Sequence, residues 1–258
     1  MSSSNNSGGG FKSIFAAIVI PAAIIVAIGI YMFILGNPAN FMENDPNNHP
    51  NNYLGIIHKG GVIVPILISL LLIVITISIE RMLTIGASKG KSSVDSFVGS
   101  IRSLLSKGDL NTAIAECDKQ KGSIANVVKA GIESYRKMQS ESSLDKERKT
   151  AAIQKELDEA TTLELPMLSK NLVIISTVAS VATLMGLLGT VIGMIRAFAA
   201  LAQAGAPDAI ALATGISEAL INTALGVGTS ALAIIMYNYF TNKIDSLTYG
   251  IDEASYSF

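Results

Sequence analysis

Four long apolar runs interrupt an otherwise polar chain. They extend from Ile14 to Leu35, from Gly61 to Ile79, from Leu172 to about Ala202, and from about Ile210 to Phe240. A helix of about 20 apolar residues is long enough to cross the hydrocarbon core of a bilayer. A cleaved signal peptide is the alternative for the first run, but its apolar core would be too long. The pattern therefore predicts an all-α integral membrane protein with four transmembrane helices.

Residues 81–170 follow a different pattern, in which apolar positions recur at helical spacing among charged ones. Gly108, Gly122 and the segment QSESSLD separate these stretches and predict helix ends or turns. Most of the chain's 19 lysine and arginine residues lie here, and basic segments beside membrane spans stay in the cytoplasm. We therefore expect a helical cytoplasmic domain, with both chain termini on the same side.

The two patterns divide the chain into segments with distinct expected roles. These are a flexible leader (1–12), a transmembrane helix (13–36), an external loop rich in Asn and Pro (37–60), a second transmembrane helix (61–81), the cytoplasmic helical domain (82–170), a third transmembrane helix (171–202), an external turn (203–209), a fourth transmembrane helix (210–240) and a cytoplasmic tail (241–258).

Composition excludes several functional classes. Only 15% of the residues are charged, whereas soluble domains average about 25%. The net charge of −1 gives no indication of nucleic-acid binding. The chain has a single cysteine, Cys117, so an internal disulfide is excluded. The sequence contains no cluster of cysteine and histidine that would indicate a metal site. No phosphate-binding glycine loop or nucleophile–base pair is present, so we expect neither an enzyme nor a bound cofactor.

Small polar residues of the third run form a stripe along one side of the predicted helix. Thr183 and Thr190 lie seven positions apart and share this side at 100° per residue. Beside them lie Gly186, Gly189 and Gly193, a spacing that lets two helix backbones approach closely. We expect these glycines to pack against another helix.

The fourth run carries a second polar face, which contains an acid. Glu218, Asn222, Thr223, Gly226 and Thr229 fall within about 140° of arc, and the opposite side is mostly apolar. A charge inside hydrocarbon is costly and marks a functional site by default. Stripes of Ser, Thr and Gly are, however, also ordinary packing devices between membrane helices. The residues alone leave both an ion pathway and a packing seam open.

Three sequence blocks carry a resemblance to a known family. They are MGLLGTVIGMIRAF (185–198), GISEALINTALG (215–226) and YNYF (237–240), and VIVPILISLLLIVITISIERML (62–83) is similar to the first core span of the same family. Together they resemble the ExbB/TolQ/MotA proton-channel family, and ExbB most closely. The resemblance covers roughly residues 60 to 245, so the first span is additional to the three of a typical ExbB.

The resemblance implies a subunit of an ion-driven motor in the bacterial inner membrane, with the external segments in the periplasm. Such a subunit would assemble as a homopentamer in the lipid bilayer around single-span, ExbD-like partners. Those partners carry a proton-binding aspartate, and a TonB-like protein would transmit the resulting work to transporters in the outer membrane.

The same resemblance assigns roles to individual residues. Thr190, Thr223 and Glu218 correspond to the intramembrane Thr and Glu residues of the family, so they would line the proton pathway. Asn222, Thr183 and Thr229 lie on the same two polar faces, so we expect them to extend this lining. The spacing of Gly186, Gly189, Gly193 and Gly226 predicts that they pack the helices.

Two departures from the family pattern concern the shape of the pathway. Thr183 and Leu232 stand where the family often has proline, and an interior proline kinks a helix. The shape of the pathway bears on which ion it carries, so both a proton and sodium stay open.

A TolQ-like or MotA-like motor for envelope integrity or motility is the closest alternative. A non-conducting membrane scaffold, in which the stripes only pack, is the most different one.

Overall fold

A computed structural model describes residues 7–46, 48–203 and 209–256, and most of them are helical. No strand occurs among these residues, and four of the helices are long and apolar enough to cross a membrane. The prediction of an all-α membrane protein with four spans is confirmed. The remaining positions, which include residues 204–208 of the expected external turn, lie outside the described residues.

The helices follow one another along the described chain. They are α1 (Ser7–Gly29), which continues directly as a π-helix (Ile30–Leu35), two short 3-10 helices (Pro38–Asn40 and Met42–Asn44), α2 (Tyr53–His58), α3 (Ile63–Ser88), α4 (Val94–Ser106), α5 (Leu110–Gln120), α6 (Ser123–Ser140), α7 (Lys146–Ser169), α8 (Leu172–Gln203) and α9 (Ala209–Tyr256).

Two helices extend beyond the apolar runs that predicted them. Residues 7–12, expected to belong to a flexible leader, are helical in α1, and residues 241–256 of the expected tail are helical in α9. Once a helix is nucleated, each further residue adds one hydrogen bond, so polar flanks can continue it. The apolar pattern therefore marks the spans but not the helix ends.

One compact unit consists of Met1–Ser78 and Val173–Tyr237. Within it α8 and α9 run antiparallel, because Ser230 contacts Ala179 near one end and Gly215 contacts Ala197 near the other. This pairing places the polar faces of the third and fourth runs against each other.

The second compact unit consists of Ile79–Leu172 and Asn238–Phe258. Its helices α4 to α7 bury an apolar core that includes the fully enclosed side chains of Ile132 and Leu157. Burial also raises the pKa of the Cys117 thiol to about 12, so this cysteine stays protonated.

Polar residues fix the helix starts of the second unit. A side-chain oxygen accepts a hydrogen bond from a backbone N–H of the first turn in three of these helices, which removes an otherwise unsatisfied donor. The capping residues are Ser93 for α4, Asp109 for α5 and Asp145 for α7. Gly108 has a φ of +74° in the turn between α4 and α5, as expected for a glycine that ends a helix.

Candidate functional site

Glycines bring α8 and α9 into backbone contact. A Cβ on Gly226 would lie 2.6 Å from the Ala182 carbonyl oxygen and 2.7 Å from Gly186 Cα. A Cβ on Gly193 would lie 3.0 Å from the backbone of Ala219. No larger residue fits at Gly226 without moving a helix, so the glycine spacing sets the separation of the two helices.

Thr190 of α8 and Thr223 of α9 meet at this interface. Their hydroxyl groups hydrogen-bond to each other, and each can also donate to the Ala219 carbonyl oxygen, at 3.3 Å in both cases. The Thr190 hydroxyl has the Gly186 carbonyl oxygen as a further acceptor at 3.2 Å. Both threonines are only half-buried. A hydroxyl has one proton to donate, so each has more acceptors in this chain than it can use at one time.

The intramembrane acid has a partner within the same chain. Arg196 Nη1 donates to Glu218 Oε1 at 2.6 Å. The Glu218 side chain is 11% exposed, whereas that of Arg196 is 52% exposed. A Cβ on Gly61 would lie 2.6 Å from Glu218 Oε1, so the backbone before α3 packs directly on the carboxylate. A charge-assisted pair of this kind stabilises an acid that would otherwise be costly to bury.

Asn222 lies one helical turn further along α9 and is 1% exposed. Its Nδ2 donates to the Gly60 carbonyl oxygen at 2.9 Å, and its amide packs so tightly on Gly189 that a Cβ there would lie 2.5 Å from Asn222 Cβ. Its Oδ1 is buried and has no hydrogen-bond partner among the described residues. Asn222 therefore ties α9 both to α8 and to the segment that precedes α3.

The remaining predicted pathway residues do not join this cluster. The Thr183 hydroxyl, two turns from Thr190, donates at 3.5 Å to the Ala179 carbonyl oxygen of its own helix. Thr229 is buried, and its neighbour Ser230 donates to the Ala179 carbonyl oxygen at 2.5 Å. Thr183 and Thr229 thus lie along the same seam, towards its other end.

Arg196 is the site residue that the sequence reasoning did not assign. It interrupts an apolar run near one end of a span, where a long basic side chain can extend its charged group towards water. The usable signal was the presence of opposite charges in two neighbouring spans, because intramembrane charges usually pair with one another. The described residues contain no group of histidine, cysteine, aspartate and glutamate side chains that could hold a metal ion.

The antiparallel helices α8 and α9 pack through glycines and hold a threonine pair and an acid that is paired with an arginine. These features define the class of the protein, which is a multi-pass helical membrane protein with a polar seam inside the membrane. The MotA/TolQ/ExbB proton channel family matches residues 119–253, more than half of the chain, and the chain belongs to this family. The sequence-based recognition is therefore confirmed.

Individual relatives are similar over shorter stretches. A putative biopolymer transport protein ExbB-like 3 from Synechocystis sp. is 36% identical over 33% of this chain and 41% of its own length. The Tol-Pal system protein TolQ of Pseudomonas aeruginosa is 28% identical over 48% of this chain and 54% of its own length. A putative biopolymer transport protein ExbB homolog from Methanothermobacter thermautotrophicus is 26% identical over 59% of this chain and 50% of its own length. The chain thus spans about half the length of these relatives.

Proposed function

We propose that this chain is an ExbB-like proton-channel subunit of a motor in the bacterial inner membrane. Five copies would surround ExbD-like helices and drive a TonB-like protein that energises transport across the outer membrane. Both chain termini and the α4–α7 domain would lie in the cytoplasm. Family membership supports the class. Both ExbB and TolQ names occur among the relatives, so the choice of an ExbB-like role rests on the resemblance of the sequence blocks to ExbB.

The observation that carries the proposal is the Thr190–Thr223 pair. Each hydroxyl has alternative acceptors within the chain, so it can turn towards an incoming carboxylate without leaving a buried group unsatisfied. A packing threonine would need only the carbonyl of its own helix. A half-buried pair with spare acceptors suits a surface that receives a partner's side chain.

The chemistry follows from the cost of a charge in a dry interface. A partner carboxylate prefers its neutral form there, so taking up or releasing a proton changes which protein surface it favours. Moving one charge across the membrane is worth about 2.3 kcal/mol per 100 mV. Repeated proton transfers past Thr190 and Thr223 can therefore drive stepwise movement of the partner. The role is transport and not catalysis of a covalent reaction.

The test uses cells that lack this gene and measures energised uptake of an iron chelate or a corrinoid. Wild-type chain should restore uptake, and Thr223→Val, which removes only the hydroxyl, should fail to restore it at equal membrane levels. Thr177→Val is the matched control, because Thr177 is exposed and, among the described residues, its hydroxyl bonds only to the Val173 carbonyl oxygen of its own helix. Normal uptake with Thr223→Val would contradict the proposal.

A TolQ-like role is the second candidate, because the matching relatives include TolQ proteins of Pseudomonas aeruginosa and Haemophilus influenzae. In that case loss of the gene would leave uptake normal and would make the cells sensitive to detergent. A MotA-like role would instead abolish motility. The same set of variants, assayed for all three phenotypes, distinguishes these functions.

A further inference from the structure

The end of the first helix contacts His58, which directly precedes the turn that packs on Glu218. Its last turn widens into the π-helix Ile30–Leu35, in which the Gly36 amide donates to the Tyr31 carbonyl oxygen. The Tyr31 ring stacks on the His58 ring, with centroids 4.6 Å apart and planes 15° apart. The Tyr31 hydroxyl donates to the His58 carbonyl oxygen at 3.2 Å. Single-turn π-helices of this kind are frequent at functional sites.

His58 is the centre of an aromatic cluster. Its ring makes an edge-to-face contact with Phe41, at 5.4 Å between centroids, and Phe41 is 1% exposed. The Lys59 ammonium group lies over the Phe41 ring, 5.7 Å from its centre. Partial burial, together with the Lys59 charge, lowers the pKa of His58, which favours the neutral form of the ring.

The Asn-rich connection ties this cluster to the first helix. Asn40 Nδ2 donates to the carbonyl oxygens of Ile34 and Leu35 at 2.7 and 3.0 Å, which satisfies the end of the π-helix. Asn52, the N-cap of α2, donates to Asn40 Oδ1 at 2.9 Å. Hydrogen bonds of the segment rich in Asn and Pro therefore connect the end of the first helix to the start of α2.

The residues directly after His58 make the contacts to the candidate site. The Gly61 amide donates to the His58 carbonyl oxygen at 3.1 Å, and Gly61 has a φ of +73°, which favours glycine. The Gly60 carbonyl oxygen accepts from Asn222, and Gly61 packs on Glu218. The His58 carbonyl oxygen thus receives one donor from the first helix and one from the turn that covers the acid.

We propose that Tyr31 and His58 are positioning residues for the outer end of the ion pathway. They hold the Gly60–Gly61 turn on Asn222 and on the Glu218–Arg196 pair. The N-terminal helix therefore contributes to the function of the channel subunit by positioning this turn. This role rests on the proposed function, because it assigns a task to residues of the same site. It also gives a reason for a helix that lies outside the family match to residues 119–253.

Hydrogen exchange of the full-length chain in lipid nanodiscs tests the contact directly. Tyr31→Leu and His58→Ala should each speed exchange of the amides in residues 59–64 at least tenfold, since the turn loses what holds it. Tyr53→Leu and His49→Ala are matched controls, because both side chains are exposed in the same connection. His58→Phe keeps both ring contacts and should restore slow exchange.

A double-mutant cycle separates positioning from general stability. If His58 acts through the Gly60–Asn222 contact, His58→Ala should speed exchange far less in an Asn222→Ala chain than in the wild type. Uptake in the cell assay should fall at least fivefold in Tyr31→Leu and His58→Ala and return in His58→Phe, at equal membrane levels. A role limited to stability would give additive effects and a reduced membrane level.

Three results would overturn the positioning role: unchanged exchange in both variants, additive effects in the cycle, or faster exchange with normal uptake in cells where Thr223→Val abolishes uptake. The Thr223→Val variant tests the proposed function separately. If Thr223→Val leaves uptake normal, the proposed motor function fails, and the exchange data alone then decide whether Tyr31 and His58 hold the turn.

Discussion

The α8–α9 interface and the α4–α7 bundle bury opposite kinds of groups. In the bundle, large apolar side chains such as Ile132 and Leu157 are fully enclosed, and ion pairs such as Lys155–Glu159 stay on the exposed surface. Between residues 179–197 of α8 and 215–230 of α9 the buried residues are small or polar, and large apolar side chains such as Leu220 are exposed, in this case to 63%.

The difference follows from the solvent on the outside of each region. Water drives apolar side chains inward in the bundle, because their removal from water is favourable. Hydrocarbon gives a leucine no such preference, so membrane helices associate through close backbone packing and hydrogen bonds. Polar groups such as Glu218 then take the interior positions, where a partner such as Arg196 is available. Four sets of substitutions test this contrast.

The largest effect is expected in the core of the bundle. Leu157→Ala removes a fully buried side chain and should lower the free energy of unfolding by about 2–5 kcal/mol. Leu163→Ala is the matched control on the same helix, because Leu163 is 75% exposed and should change stability by less than about 0.5 kcal/mol. Hydrogen exchange in α6 and α7 provides the measurement, and equal effects of the two variants would contradict the apolar core.

The next effect belongs to the glycine contact. Gly226→Val forces a side chain into the Ala182 carbonyl and should destabilise the helix pair by about 1–3 kcal/mol. Gly228→Val, two residues away, has nothing within 4 Å and changes helix propensity by the same amount. Thermal unfolding in detergent compares the two variants. A lower melting temperature for Gly228→Val than for Gly226→Val would show that glycine spacing does not set the interface.

The Arg196–Glu218 pair should respond asymmetrically. Arg196→Gln leaves a carboxylate that is 11% exposed without its partner, and should cost about 1–3 kcal/mol. Glu218→Gln leaves an arginine that is 52% exposed and can be hydrated, so its cost should be smaller. The double variant should recover most of the loss, as measured by thermal unfolding. Equal costs of the single variants would argue against a buried, paired acid.

The smallest effect depends on pH. The pKa of His58 is lowered by burial and by Lys59, so the native state binds its proton less readily than the unfolded chain. Its contribution to stability is therefore present above the ordinary histidine pKa of about 6.5 and is lost as the pH falls through the lowered folded value. The Tyr31 and Phe41 rings that also face His58 carry no charge in this range.

Amide exchange in residues 53–64, measured at pH values above and below this window and corrected for its intrinsic pH dependence, checks this dependence. Protection should decrease in acid in the wild type but not in His58→Phe. His49→Phe provides the control, because His49 is exposed in the same connection. An acid-sensitive His58→Phe chain would assign the effect to another group.

Much of the fold follows from local patterns. The four apolar runs predicted the spans, and helical spacing with breaks at Gly108 and Gly122 predicted the helices between residues 81 and 170. The ends of α1 and α9 were not predictable, because helix propagation into polar flanks depends on the chain beyond the apolar pattern. The connection 37–60 was expected to be irregular, and its asparagines gave no signal that Asn40 and Asn52 would hydrogen-bond across it.

The sequence by itself determined the class of this protein, the number of its spans and the two polar stripes, because these depend on periods of a few residues along one helix. The tertiary structure alone decided which members of the stripes meet. It paired Thr190 with Thr223 and Glu218 with Arg196, and placed Gly60 and Gly61 on Asn222 and Glu218. Such pairings join residues up to 162 positions apart, as for Asn222 and Gly60. They depend on the register and separation of packed helices, which no local pattern encodes.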